Sequence, residues 1–380
     1  MEGRSFPERF GFFLASFSPY GRRDSEVRSK IESWLIKPKN NMKKHKVKEI
    51  ELLSGNEAIV KGAQAAGIGF FSSYPITPAS EIMEVIAKSS VKFIQGEDEI
   101  AACNMCIGAS MAGARVMTAT SGPGFSLKQE SIGLAFKIGA PLLIVNSQRV
   151  GPSTGMPTSG SQGDILQSKH GSHGDYINIV FYPNSVAECL KYTIEAINAA
   201  EESLSPVILM VDGIISHMYE TVNTKINYQL KKRNLKPLGQ EKRHFTSLTS
   251  RGNLPITRDS KVYQDWYYKR KKKILDVAKK YNFYQYIENK RANVLLIAYG
   301  IVSRAILPLR EKYSIFRPIR LFPLVRELKQ IAKKYSRLVV VEMNDGQYQH
   351  ELQAFLKRDV QLISQLGGKV SLKEIKNELE

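Results

Sequence analysis

Glu97-Asp98-Glu99 opens a long helical pattern that runs to about Ala114. Acids in a first helical turn suit the positive end of the helix dipole, and that alone accounts for all of them. A buried carboxyl among them could do more, by hydrogen-bonding a heteroaromatic nitrogen in acid–base work. Arg149 follows the apolar strand Leu142 to Asn146 and opens a long polar loop. Strand C-termini in parallel sheets face the ligand crevice. A guanidinium there grips a carboxylate bidentately, a surface arginine being the alternative. In Ser73-Tyr74-Pro75-Ile76-Thr77-Pro78 a strand runs into a helix expected over 78–88. Thr77 is expected at its N-cap and Pro78 in its first turn. Free backbone N–H groups and the Thr77 hydroxyl could then meet an anion, or Thr77 could cap a helix and nothing else. Gly122-Pro123-Gly124 is a strand-to-helix turn that admits a cofactor ring or a neighbouring subunit. It lacks the lysine of a P-loop and the spacing of a dinucleotide fingerprint.

The elements that must position these residues alternate between short apolar strands and helices. Strands are expected at 69–73, 91–95, 115–119, 141–146 and 206–212. Helices are expected from Asn56 as cap to Gly67, and over 78–88, 97–114, 125–138 and 184–202. That alternation predicts a parallel sheet covered on both faces. Residues 150–175 are long and Gly/Ser/Thr/Pro-rich for a connection, as a functional loop would be. A second α/β pattern begins at Val294, with strands at 294–298, 317–321 and 338–342 and helices at 302–312, 325–335 and 347–357. The expected organisation is therefore a basic extension over 1–47, a first α/β domain over 48–221, a basic linker over 222–291 with one helix near 265–281, a smaller α/β domain over 292–360 and a tail over 361–380. The extension is expected to be disordered or, with Met42 near its end, an upstream-start artefact.

Net charge is +19, with +7 in residues 1–48 and +14 in 225–291, so the part that carries the motifs is near neutral. No nucleic-acid motif accompanies the basicity, and nucleic acid is not an expected partner. A solvated surface or an acidic protein partner fits the charge better. No apolar run reaches the length of a membrane helix. Three cysteines do not make a disulfide framework, which suits a cytoplasmic protein. Cys103 and Cys106 have a metal-like spacing but no second pair, so packing is expected and no metal site.

Beyond single residues, five motifs occur in order: Tyr74-Pro75-Ile76-Thr77-Pro78; Gly96 to Ala102; Thr118 to Phe125; Gln148-Arg149; and Gly151 to Thr158 with Gln162-Gly163-Asp164. Together they resemble the alpha subunit of the 2-oxoacid:ferredoxin oxidoreductases, closely over 50–220 and more loosely over 290–360. The resemblance implies a parallel-sheet domain that binds the pyrimidine of thiamine diphosphate, followed by a transketolase C-terminal-like α/β domain. It places the pyrimidine-nitrogen carboxyl on Glu99, which fits the Gly108-Ala109 and Gly113-Ala114 spacing, and cofactor contacts on Gly122, Pro123 and Gly124. It places the substrate carboxylate on Arg149 and Thr77, with Ser153 and Thr154 in the substrate loop. That loop resembles the 2-oxoglutarate subgroup, and His170 and His173 beyond it could pair with a distal carboxylate. The diphosphate, Mg²⁺ and a [4Fe-4S] cluster are implied on a beta subunit of a heterodimer, with CoA, a 2-oxo acid and ferredoxin as further partners. The implied reaction is oxidative decarboxylation of 2-oxoglutarate to succinyl-CoA. The same chemistry on pyruvate or a branched-chain 2-oxo acid, or a non-catalytic scaffold, are the alternatives.

Overall fold

A computed structural model describes residues 49–240, 246–252 and 254–380. The extension expected over 1–47 lies outside the described residues. The α/β architecture is as expected, built on two main sheets. Across the larger sheet the strands run Arg320–Phe322, Ile179–Phe181, Pro206–Asp212, Leu142–Val150, Val116–Thr120, Phe70–Ser73 and Lys92–Gln95. All these neighbours are parallel except Arg320–Phe322, which pairs antiparallel with Ile179–Phe181 at one edge. Met156–Gly160 hangs off the far end of Leu142–Val150 as an eighth, antiparallel strand. The central runs Leu142-Leu143-Ile144-Val145 and Val207 to Val211 are buried on both faces, as strands between two helical layers must be. The smaller sheet holds Tyr284–Ile287, Ser314–Pro318, Val294–Ile297, Arg337–Glu342 and Gln361–Ser364 in that order.

In the larger sheet the chain moves outward from Phe70–Ser73 to Lys92–Gln95, then returns to the other side at Val116–Thr120. The order of strands therefore reverses between Phe70–Ser73 and Val116–Thr120, and a crevice opens beyond their carboxyl ends. Ser73 ties these ends together by donating its hydroxyl to the Ala119 carbonyl at 2.6 Å. Tyr74 to Thr77 leaves one lip of this crevice, and Ser121 to Gly124 leaves the other.

Several boundaries differ from expectation, each for a local reason. The first helix is Gly55–Ala65, capped by Ser54 rather than Asn56. Ser54 and Glu57 form a reciprocal capping box, which satisfies two amide donors at once. Asn56 instead donates to the Pro78 carbonyl at 2.8 Å and to Glu81 Oε2 at 3.0 Å. Thr77 does not cap the next helix, which is Ser80–Ala87 with Ala79 at its N-cap and no side-chain cap bond. A residue before proline is disfavoured in helical conformation, so the helix starts beyond Pro78. Leu142–Val150 is longer than expected, because pairing with Met156–Gly160 extends it through Arg149. The helix expected over 125–138 is split into Gly122–Leu127 and Gln129–Ile138.

Residues 222–291 are held down at several points. The helix Ser260–Lys280 buries Val262, Ile274, Val277 and Ala278 and lays Trp266 edge-on against Phe136, with Lys137 Nζ 3.4 Å from the Trp266 ring centre. Upstream, Arg233 makes two bonds to Glu201, at 2.6 and 2.7 Å, and also donates to the Ser110 and Ala114 carbonyls. Both partners are nearly buried. Glu201→Ala would leave a buried guanidinium unpaired, and is expected to lower stability by about 3–5 kcal/mol, read from the denaturant midpoint. Among the described residues no helix is long and apolar enough to cross a membrane.

Candidate active site

Asp98 caps the helix Glu99–Met111 by accepting the Ala101 amide at 2.6 Å. Glu99 therefore stands in the first turn, beside the positive end of the helix dipole. It is 5 % exposed, and no hydrogen bond reaches its carboxylate from any described residue. Buried carboxylates normally find donors, and a group from outside the described residues could supply one here. Gly124 lies directly against it: a Cβ there would collide with Glu99 Oε1 and with Thr120 Oγ1. The hydroxyls of Thr118 and Ser121, both buried, also have no partner among the described residues. A flat polar ring suits this combination of a bare carboxylate, idle hydroxyls and a glycine cradle.

Asp164 lies on the other side of the same turn. A Cβ on Gly122 would sit 3.4 Å from one of its carboxylate oxygens and 3.5 Å from the other. Asn146 donates to this carboxylate at 2.9 Å, and the Asp164 amide donates to Gln148 Oε1 at 3.0 Å. Burial pushes the Asp164 carboxyl above the usual range, against the pull of Asn146 and Arg149.

Arg149 and Thr77 come together across the crevice. Arg149 Nη1 donates to the Thr77 carbonyl at 2.9 Å, which uses one edge of the guanidinium. Its Nε is buried and unpaired, although the residue is only 8 % exposed. A carboxylate could take that idle edge. Thr77 itself is exposed. Ser153 and Thr154 lie on the exposed turn between Val150 and Met156, Ser153 with a positive φ of 55°, and no hydrogen bond joins them to Arg149 or Glu99.

The remaining loop residues go to different ends. Gln162 faces the smaller sheet: it donates to the Tyr299 carbonyl at 3.0 Å and accepts the Met343 amide at 3.0 Å. Asn344 adds a bond to the Gln162 carbonyl at 2.7 Å. The smaller sheet thereby fixes the loop that presents Asp164. Asp212 spans the same seam, accepting amides from Ile215 and Ile301, and burial pushes its carboxyl up to about 6. His170 packs edge-on against Tyr176, and His173 lies 3.4 Å from Glu130 with both side chains exposed. Cys103 and Cys106 are buried, and burial raises both thiols, which disfavours the thiolate that metals and disulfide chemistry need. Among the described residues no group of three or more His, Cys, Asp or Glu side chains could hold a metal ion.

Two members of this neighbourhood carried no signal in the sequence. Asn146 read as the last residue of an apolar strand. Lys128, within the helix expected over 125–138, was not singled out, yet it is fully buried behind Glu99.

Comparison with known proteins bears on the same residues. The profile described as pyruvate flavodoxin/ferredoxin oxidoreductase, thiamine diphosphate-binding, matches residues 61–288. The 2-oxoglutarate synthase subunit KorA of Methanocaldococcus jannaschii is 38 % identical over 85 % of this chain and 96 % of its own length. The ketoisovalerate oxidoreductase subunit VorB of Methanothermobacter thermautotrophicus is 33 % identical over 87 % of this chain and 96 % of its own. Among solved structures, the 2-oxoglutarate:ferredoxin oxidoreductase from Magnetococcus marinus, with 2-oxoglutarate, coenzyme A and succinyl-CoA bound, superposes with a TM-score of 0.79 at 29 % identity. That match covers 87 % of this chain and 65 % of the longer one.

Proposed function

The chain belongs to the pyruvate flavodoxin/ferredoxin oxidoreductase family, and from that premise we propose that it is the alpha subunit of a 2-oxoglutarate:ferredoxin oxidoreductase. The observation that carries the reading is Glu99, a buried carboxylate without a hydrogen-bond donor, set against the Gly124 cradle at the switch point of the sheet. The pyrimidine of thiamine diphosphate would lie there, with Glu99 bonded to its ring nitrogen and the idle Ser121 and Thr118 hydroxyls nearby. When bound, this cofactor supplies a nucleophilic carbon that attacks the oxo group and stabilises the charge left by decarboxylation. Glu99 holds the proton on which that activation depends. Arg149 binds the substrate carboxylate by its free edge while Thr77 fixes its other edge. Asp164 closes the far side of the turn, held by Asn146 and by the loop anchored at Gln162.

In the proposed reaction 2-oxoglutarate and CoA give succinyl-CoA and carbon dioxide, and an electron pair passes to ferredoxin. A beta subunit holds the diphosphate, Mg²⁺ and the [4Fe-4S] cluster, so the site is completed between subunits. The substrate assignment rests on the KorA relatives and on the 2-oxoglutarate-like loop over Ser153 to Asp164. The VorB relative makes a branched-chain 2-oxo acid the second reading. Co-expression with a beta-type subunit, then CoA-dependent dye reduction over a panel of 2-oxo acids, tests both. Reduction with 2-oxoglutarate supports the first reading, and preference for 2-oxoisovalerate replaces it with the second. No reduction by a cofactor-loaded complex removes both.

Arg149→Lys keeps the charge but loses the planar fork, and is expected to raise the KM for the 2-oxo acid about 10- to 100-fold, with a smaller effect on kcat. Initial-rate kinetics with varied 2-oxo acid separate the two. The exposed lysines of Ser260–Lys280, among them Lys269 and Lys272, form a basic face suited to an acidic ferredoxin. Neutralising both is expected to slow ferredoxin reduction at low salt several-fold, and added salt should erase the difference from wild type. Equal rates at low salt would move ferredoxin docking elsewhere.

A further inference from the structure

Lys128 is buried with no measurable exposure, and it forms no ion pair with any described residue. An unpaired buried amine is unfavourable, and an apolar side chain of similar volume would fit such a place at least as well. Its single hydrogen bond goes to the backbone carbonyl of Glu99, at 3.0 Å. Burial pulls the pKa of Lys128 down. Glu99 and Asp98 act the other way and favour its charged form. The same amine therefore grips the first turn of Glu99–Met111 from inside and sets a positive charge behind the carboxylate that turn presents.

We propose that Lys128 is a positioning residue for Glu99: it clamps the Glu99 backbone carbonyl and sets its amine behind the carboxylate, so that the carboxylate stands ready in a site where no described residue bonds it. This rests on the reading of Glu99 as the group that bonds the cofactor. The bond of Lys128 is to Glu99 itself, and Lys128 lines no exposed surface. Its neighbour Gln129 turns away and donates to the Phe125 carbonyl at 2.9 Å.

The test is a double-mutant cycle on the full chain in complex with its beta-type subunit. Lys128→Met and Glu99→Gln are made singly and together, and each complex is assayed for thiamine diphosphate affinity by calorimetry and for turnover. Lys128→Met is expected to weaken cofactor binding and slow turnover about tenfold each when Glu99 is present, and to change neither when residue 99 is glutamine. Lys128→Arg should restore most of both. Lys128→Gln keeps a donor for the Glu99 carbonyl without the charge, and carries the cycle if the methionine variant does not fold. Equal losses in both backgrounds, or none in either, overturn the proposal. A Glu99→Gln complex that binds cofactor and turns over like wild type overturns instead the reading of Glu99. A merely structural lysine would lower the melting temperature and leave the two backgrounds alike.

Discussion

Glu99→Gln is expected to slow turnover by about 10²–10⁴-fold while leaving the fold intact. Glutamine matches glutamate in size, so the Gly124 cradle and the packing of Ala102, Cys103 and Cys106 behind it persist. What changes is the chemistry of one atom pair. The carboxylate can take up and release a proton, whereas the amide accepts and donates hydrogen bonds but cannot transfer a proton. Its carboxylate accepts no hydrogen bond from a described residue, and the bond from Lys128 goes to the backbone carbonyl, so the substitution removes nothing from the native network. A normal melting temperature with lost turnover is the expected pair of readings. Retained turnover would mean that the bare carboxylate serves some other purpose.

Gly124→Ala is expected to lower kcat/KM for the 2-oxo acid by roughly 10²-fold, through a different route. The added methyl meets Glu99 Oε1, Glu99 Cγ and Thr120 Oγ1, all atoms of side chains rather than backbone. Those side chains can move aside, and the fold survives. The Glu99 carboxylate then leaves the position it holds against the turn, and a shift of about 1 Å at a reacting group is worth losses of this size. Calorimetry should show weakened cofactor binding in step with the lost activity. Gly122→Ala is the control: its methyl would make only ordinary contacts with the Asp164 carboxylate, at 3.4–3.5 Å, and a milder effect is expected.

How far the molecule was legible in its sequence can be judged at particular residues. The strands Pro206–Asp212 and Arg337–Glu342 were marked by near-continuous apolar runs, because burial on both faces leaves no place for alternation. Glu99, Arg149 and the glycine turn stood out by type and spacing, and the fold sets Thr77 against Arg149. Thr77 as a helix cap was misread. The Pro78 carbonyl is claimed by Asn56 from a distant helix, and no local pattern announces a bond between residues 22 apart. Gln162 and Asp164 looked like one polar loop, yet Gln162 binds the smaller sheet and Asp164 the glycine turn. Lys128 was invisible for a related reason: a lysine's burial is decided by what folds over it, and here that is the helix carrying Glu99.

The antiparallel edge strand Arg320–Phe322 has a consequence for synthesis. It caps Ile179–Phe181, about 140 residues earlier in the chain. At about 5–20 residues per second, the nascent sheet waits roughly seven to thirty seconds with that edge open. An unpaired edge is a template for pairing with other chains, so translation passes through a window in which the Ile179–Phe181 edge, covered in the finished protein, is open to them. Chaperone capture during that interval, or slower elongation beyond residue 181, would change the yield of folded protein while leaving its stability untouched.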